Sequence, residues 1–321
     1  MLSAVIPVYN EAESLESLYR ELAAVAGARD YDLDLVFVDD GSTDASWELI
    51  RAMAAADQRV RGLRFRRNFG KAAALSAGFQ AARGELVMTL DADLQDDPRE
   101  IPKFLERMAN DLDVVSGWKK IRHDPWHKVW PSRVFNWLVS RLTGVALHDH
   151  NCGMKCYRRE VFREVRLYGE LHRFVPVLAH ARGFRVGEVI IEHRPRKFGH
   201  SKYGVRRFLR GFLDLLTVKF LTGFGQRPQH ALGAAGLGFF VLGAAGIAYL
   251  SAYWLKTQCW PEPGDLPLHQ RPALHYSVAS LLLGGQLISI GFLAELIIAY
   301  TGRDAETYSI AEETSLIKND A

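Results

Sequence analysis

Two uncharged stretches near the C-terminus constrain this chain more than any other feature. Ala231 to Leu255 contains no charged residue, and Ala273 to Tyr300 contains only Glu295. At about 1.5 Å of rise per residue, either run as a helix exceeds the roughly 30 Å hydrocarbon thickness of a bilayer. A buried helical hairpin in a large soluble core is the competing reading, but uncharged runs this long are seldom needed there. Two membrane-spanning helices are therefore expected. Arg206, Arg207, Arg210, Lys219 and Arg227 precede the first run, whereas the joining segment carries only Lys256 and Arg271, offset by Glu262 and Asp265. Lys- and Arg-rich flanks stay in the cytoplasm. The expectation is an integral inner (cytoplasmic) membrane protein, with both termini and all that precedes the spans on the cytoplasmic side.

The N-terminus, MLSAVIPVYNEAES, has neither a basic leader nor a long apolar core, so it reads as a buried strand and not a secretory signal. Through about residue 118, β-rich runs (LSAVIPV, LDLVFVDD, VRGLRFR, ELVMTLDAD, DVVSGW) alternate with amphipathic ones (EAESLESLYRELAAV, TDASWELIRAMAAA, AAALSAGFQAAR). Such alternation implies crossover units, hence an α/β fold with a mostly parallel sheet and helices on both faces. Ligands of open α/β sheets bind beyond the carboxyl ends of the strands, which directs attention to the loops after Val8, Val38 and Leu90. The expected organisation is a catalytic domain over 1–200, a juxtamembrane amphipathic segment over 201–228, a two-helix membrane domain over 229–301 and a tail over 302–321. YGVRRFLRGFLDLLTVKFLTGF and the shorter PSRVFNWLVSRLTGV mix basic and apolar residues at helical spacing, as interfacial helices do, and helices packed on the sheet would look the same.

The formal net charge of +3 gives no broad basic face, and no nucleic-acid partner is expected. Cys152, Cys156 and Cys259 form no even disulfide framework and are expected to be reduced. The first strand ends in IPVYNE with no glycine until Gly27, so the Gly-x-Gly-x-x-Gly turn of a dinucleotide-binding fold is absent, which argues against an oxidoreductase. The second strand ends in VDDGSTD, placing Asp39 and Asp40 at the sheet's carboxyl edge. Asp39 can accept hydrogen bonds from a base or ribose, or simply shape a capped turn. The fourth strand ends in TLDADLQDDP. Asp91 and Asp93 leave a strand on one face and can converge on one cation, and such hard oxygen ligands suit Mg²⁺ or Mn²⁺. In HDH (His148 to His150), two histidines have spacing that would allow a second metal, but no cysteine or further carboxylate completes a set, so a solvated loop is expected.

PVYNE, VDDGSTD, RNFGKAAAL and DADLQDDP, in this order, resemble the family 2 glycosyltransferases of GT-A fold. GWKKIR, CGMKCYRRE, GELHRF and HRPRKFGHSKYG are similar to that family's polyprenyl-phosphate branch, over roughly residues 3 to 204. The resemblance implies inverting transfer of a hexose or modified sugar from a UDP- or GDP-linked donor to polyprenyl phosphate. Further, it implies that Pro7, Tyr9, Glu11, Asp39 and Asp40 hold the nucleotide, with Asp91 contacting both nucleotide and metal. Asp93 and Gln95 would complete the metal site, and Arg67, Asn68 and Lys71 would lie near the donor. Asp93 and Asp91 are then catalytic, and Asp149 is the candidate general base. Departures are Gly153-Met154-Lys155 where many relatives have Gly-Phe-Arg, and Trp118-Lys119 where many have Trp-Arg; lysine keeps the charge but loses the bidentate fork. No Gln-x-x-Arg-Trp of the processive branch occurs.

Lys120, Arg122, Arg196, Ser201 and Lys202 are the expected grip on the acceptor phosphate, because both basic loops leave the sheet where the chain meets the membrane. Two rival readings remain: a membrane-anchored transferase acting on a non-lipid acceptor, and a non-catalytic scaffold with the same fold. Self-association of the chain is compatible with either.

Overall fold

A computed structural model describes residues 1–120, 126–165, 171–192, 194, 205–223, 228–260 and 266–301. Arg122, Arg196, Ser201 and Lys202 therefore lie outside the described residues. The chain divides into two compact units, Met1–Thr222 and Gly223–Ala321.

The first unit is built on seven strands: β1 (Leu2–Val8), β2 (Leu33–Asp39), β3 (Val60–Arg64), β4 (Leu86–Thr89), β5 (Val114–Lys119), β6 (Lys155–Arg158) and β7 (Val186–Ile191). They form one sheet in the order β3-β2-β1-β4-β6-β5-β7, parallel except for β6, which runs antiparallel to both β4 and β5. The helices are α1 (Ala12–Arg29), α2 (Ser46–Ala56), α3 (Lys71–Ala81), α4 (Ile101–Ala109), α5 (Trp126–Thr143), the short α6 (Val161–Glu164), α7 (Val175–Ala181) and α8 (Val205–Gly223).

The central strands are apolar throughout because both faces are covered. Leu2, Ala4, Ile6 and Val8 of β1 pack with Leu15, Leu18 and Leu22 of α1, Ile50 of α2 and Phe104 of α4. Val5 of β1 and Val36 and Val38 of β2 point the other way, toward Leu75 and Phe79 of α3 and Val175 of α7. Along α1, Leu15, Leu18, Leu22 and Ala26 fall on one helical face, and the helix ends where Asp30 turns left-handed and its N–H bonds the Ala26 carbonyl. A third cluster joins Phe135 and Val139 of α5, Phe174, and Leu215 and Val218 of α8. Thus the basic amphipathic helix buries one stripe within the first unit, which extends to Thr222. Phe212, Leu213 and Leu216 of α8 and Val134 and Trp137 of α5 stay exposed.

The second unit pairs α9 (Pro228–Cys259) with α10 (Pro272–Thr301). Backbones approach closely where Gly236 and Gly284 meet, and the Ser280 hydroxyl donates to the Phe239 carbonyl at 2.9 Å. The Glu295 carboxylate accepts from the N–H of Gln229 at 3.3 Å, satisfying a donor of α9's first turn. Only 11% of either apolar window is buried inside the molecule. The buried-hairpin reading fails on that figure, since a soluble core helix would be mostly covered. These helices have the length and composition to cross a membrane.

Candidate active site

Strand order reverses at β1, which pairs with β2 on one side and β4 on the other. This is the switch point where an open α/β sheet leaves a crevice at its carboxyl edge. β1 pairs with β4 only as far as Val5, so Pro7 lies beyond that ladder and its missing N–H breaks no β4 bond. The sheet opens there, with Tyr9 half-exposed at the rim.

Three loops are locked together at this edge. Asn10, in the left-handed region at φ 57°, accepts from the Thr43 N–H at 2.8 Å, and its own N–H donates to Ser42 Oγ at 2.9 Å. The amide of Glu11 donates to Ser46 Oγ, and that of Ala12 to the Asp44 carboxylate, which caps α1 from a neighbouring loop. Gly41 has φ +73°, and a Cβ there would lie 2.5–2.8 Å from the backbone of Arg67 and Asn68, so only glycine fits. Asp40 accepts from the N–H groups of Phe69 and Gly70 at 2.7 and 2.9 Å. Asp40 therefore fixes the loop that starts α3, and with it Lys71. Asp39 is fully buried, accepting from the Ser42 N–H at 3.0 Å with Arg64 Nε at 3.3 Å. It shapes the turn from behind.

Lys71 reaches from α3 to Asp91, with Nζ 2.5 Å from Oδ1; the two side chains are 37% and 34% exposed, so the pair faces the crevice. Burial would push the Asp91 carboxyl up, but Lys71 foremost, then Lys119 and His172, hold it down at about 2. It is a carboxylate at any physiological pH. Antiparallel β6 brings Thr89 opposite Lys155, and the Thr89 hydroxyl donates to the Gly153 carbonyl at 2.7 Å. Gly153 lies against the Asp91 carboxylate so closely that a Cβ would stand 2.6–2.9 Å from its three atoms. Asp93 is buried and accepts from the Gln95 N–H at 3.2 Å, while Leu94 between them takes φ 60°, a strained turn at a functional edge. Among the described residues no group of three or more His, Cys, Asp or Glu could hold a metal. Asp91, Asp93 and the Gln95 amide suit Mg²⁺ or Mn²⁺, which takes few protein oxygens and fills its shell with water and phosphate.

The following residues hold this loop in place. Lys119 lies 2.9 Å from Asp96; burial opposes its charge, and the surrounding groups, Asp96 foremost with Asp91 acting the same way, together keep the ammonium firmly protonated. Lys155 is buried and donates to the Cys152 carbonyl, its pKa lowered by burial. The two lysines that replace the expected arginines are thus spent on internal contacts. Lys120 is exposed, its Nζ 5.8 Å from the Trp118 ring centre.

Asp149 is buried and accepts from the Asn151 N–H at 3.1 Å. The solvated-loop expectation for His148 to His150 is corrected by the structure. Asn136 and Ser140 of α5 donate to the His148 and Leu147 carbonyls, pulling the segment under the helix, and His150 is fully buried, 3.1 Å from Ser140 Oγ. Only His148 is exposed; it stacks on Trp118 at 4.0 Å and its Nδ1 lies 2.5 Å from Glu188. The two imidazoles face different partners. Cys152 and Cys156 are buried free thiols, each pushed up to about 12 by burial.

Sequence reasoning missed the role of Gly153 beside Asp91. A glycine entering a strand is a recognisable sign of close backbone approach, but its partner could not be named without the fold.

The glycosyl transferase family 2 profile matches residues 3–166, the stretch that carries all these loops. The chain belongs to that family. It is 39% identical over 310 residues to a dodecaprenyl-phosphate galacturonate synthase of Rhizobium johnstonii, covering 94% of this chain and 89% of that protein. It is 36% identical over 307 residues to an undecaprenyl-phosphate 4-deoxy-4-formamido-L-arabinose transferase of Pseudomonas fluorescens, with 94% and 84% covered. Among solved structures, glucosyl-3-phosphoglycerate synthase from Mycobacterium tuberculosis in complex with Mn²⁺, UDP and phosphoglyceric acid superimposes with TM-score 0.54 over 69% of this chain and 78% of that one. At 17% identity that likeness speaks for the GT-A fold. This family 2 glycosyltransferase thus combines a GT-A-like domain with two apolar C-terminal helices.

Proposed function

We propose that this enzyme transfers a sugar, with inversion, from a nucleotide diphosphate to a polyprenyl phosphate at the cytoplasmic membrane face. The observation that carries the reading is Asp91: ionised, in the switch-point crevice, paired with Lys71 and pressed against bare Gly153 backbone. The names of the two relatives supply the acceptor class.

Tyr9, Glu11 and the turn shaped by Asp39 would receive the nucleoside. Asp91, Asp93 and Gln95 would hold Mg²⁺ or Mn²⁺, which when bound neutralises the diphosphate leaving group. Lys71, kept in place by Asp40, adds a fixed cation beside the same charge. A phosphate monoester has its second pKa near 6, so the acceptor is already largely dianionic at neutral pH and needs alignment more than deprotonation. Asp149, buried and held by Asn151, would shape that side of the pocket or serve as base. Lys120 with Arg122, Arg196, Ser201 and Lys202 would grip the acceptor phosphate.

The test uses detergent-solubilised full-length protein, Mn²⁺, radiolabelled UDP-sugars beginning with UDP-galacturonate, and dodecaprenyl phosphate. Label should partition into organic solvent, and EDTA or Asp93→Asn should abolish this while the melting temperature holds. Label transferred only to aqueous products would favour the non-lipid acceptor, and full turnover in EDTA would remove the metal from the reading.

A further inference from the structure

We infer that His148, held against Trp118 by Glu188, is a further binding residue for the acceptor phosphate. The inference deepens the acceptor reading above and rests on it. It starts from the register of the sheet. Thr89, Lys155, Ser116 and Glu188 stand opposite one another on β4, β6, β5 and β7, so their side chains share one face. Two residues nearer the carboxyl edge, the same registers put Asp91, Gly153, Trp118 and Ile190 in a second row on that face. At about 4.8 Å between neighbouring strands, Trp118 lies roughly 10 Å from Asp91. The residue between them is a glycine, with no side chain to fill the gap. A gap of that size suits an acceptor beyond a metal-bound phosphate and an anomeric carbon, with the nucleophile about 3–3.5 Å from the carbon it attacks.

His148 is fixed at this place although it is exposed. Its ring stacks on Trp118 at 4.0 Å, with 13° between the planes. Both oxygens of Glu188 hold it, one accepting from its backbone N–H at 2.9 Å, the other 2.5 Å from Nδ1. Asn136 of α5 donates to its carbonyl. Yet 62% of the side chain is open to solvent, and Nε2 meets no partner among the described residues.

An exposed ion pair stabilises a fold little, so a carboxylate that spends both oxygens on one surface histidine has a small structural return. As a means of presenting the ring it is effective, because the rotamer is settled before a ligand arrives and binding then costs less ordering. A carboxylate can only accept, so Nδ1 carries a proton and Nε2 is the end left for a ligand. Nε2 donates to a phosphate oxygen when the ring is charged and accepts from a P–OH when it is neutral. Lys120 brings an ammonium to the same indole, its Nζ 5.8 Å from the ring centre. Asp149, the candidate base, follows His148 directly, and its carbonyl accepts from Ser116 of the first row at 3.4 Å.

The experiment compares wild type, His148→Phe and Glu188→Gln as full-length protein in detergent. The phenyl ring keeps the stack on Trp118 and removes the nitrogens, whereas the glutamine loosens the tether and leaves them. Transfer to dodecaprenyl phosphate is followed at varied acceptor with the UDP-sugar that the wild type uses, and with farnesyl phosphate and farnesol as competitors. UDP binding in Mn²⁺ by calorimetry and the melting temperature complete the set. His148→Phe should raise the KM for dodecaprenyl phosphate about tenfold, as loss of one hydrogen bond to a charged group does, and weaken inhibition by farnesyl phosphate as much. Farnesol inhibition and UDP affinity should stay within about twofold of wild type and the melt within a few degrees. Glu188→Gln should move the KM the same way by less. An unchanged acceptor KM ends the proposal, and equal weakening of farnesol and farnesyl phosphate would give the ring to the lipid chain instead. Loss of UDP affinity would move His148 to the donor's diphosphate, and transfer, UDP binding and melting temperature falling together would leave it a loop staple. If the wild type itself loads no lipid, the acceptor class has failed and this assignment with it; lipid loading by the wild type with unchanged variants fails the assignment alone.

Discussion

Replacing Gly153 with alanine should separate activity from stability in this enzyme. The added methyl would stand 2.6–2.9 Å from the three carboxylate atoms of Asp91, where about 3.4 Å is comfortable, so the carboxylate must retreat by roughly 0.5–0.8 Å. That atom group ends a short, partly exposed side chain, and turning it away displaces no backbone and opens no core cavity. The melting temperature should change by no more than a few degrees, as for most substitutions outside a core. The chemistry has no such slack. Retreat pulls Asp91 off Lys71, from 2.5 Å, and off the position from which it would address metal and diphosphate. A shift approaching 1 Å in a positioned group predicts a loss of about 100-fold in kcat. Steady-state transfer at saturating donor, a Mn²⁺ titration of activity and a thermal melt together decide it, the expected signature being lower kcat, a raised Mn²⁺ requirement and an almost unmoved melt. Wild-type turnover with an unchanged Mn²⁺ requirement would refute the reasoning, since it would mean that the placement of Asp91 against Gly153 is immaterial.

Burial, with the Lys155 ammonium acting in the same direction, pushes the His150 imidazole down to about 4. Between about pH 6.5 and 4 the unfolded chain binds this proton and the folded one does not, so stability falls as pH falls, by about 3 kcal/mol across the window. His150→Gln should flatten the corresponding part of the melting-temperature profile; an identical slope in the variant would dismiss His150 as its source. Cys259 is exposed at the end of α9, while Cys152 and Cys156 are buried, so an impermeant maleimide reports Cys259 alone. It should label intact cells if the loop between the spans lies outside, and labelling only after lysis would reverse the topology.

The elements whose fate depends on local pattern were legible in the sequence. The two uncharged runs become α9 and α10 because apolar helices of that length have no other economical use, and the βα alternation gives a parallel sheet because crossovers of that size return a strand in the same direction. The strand ends expected at Val8, Val38 and Leu90 fall at Val8, Asp39 and Thr89. What the pattern could not supply was any relation between residues distant in sequence. The run KCYR has no mark that it inserts antiparallel between β4 and β5. Yet that insertion alone brings Gly153 onto Asp91 across 62 positions, with Thr89 holding its carbonyl. His150 reads as a loop residue until α5 covers it, and Lys119 and Lys155 read only as charge-keeping departures from arginine until burial gives them internal partners. Side-chain identity fixes what chemistry is available, and periodicity fixes local form. Which carboxylate is held ionised at the crevice, and which cation is consumed in holding a loop, follows from burial and long-range packing, and those exist only in the folded chain.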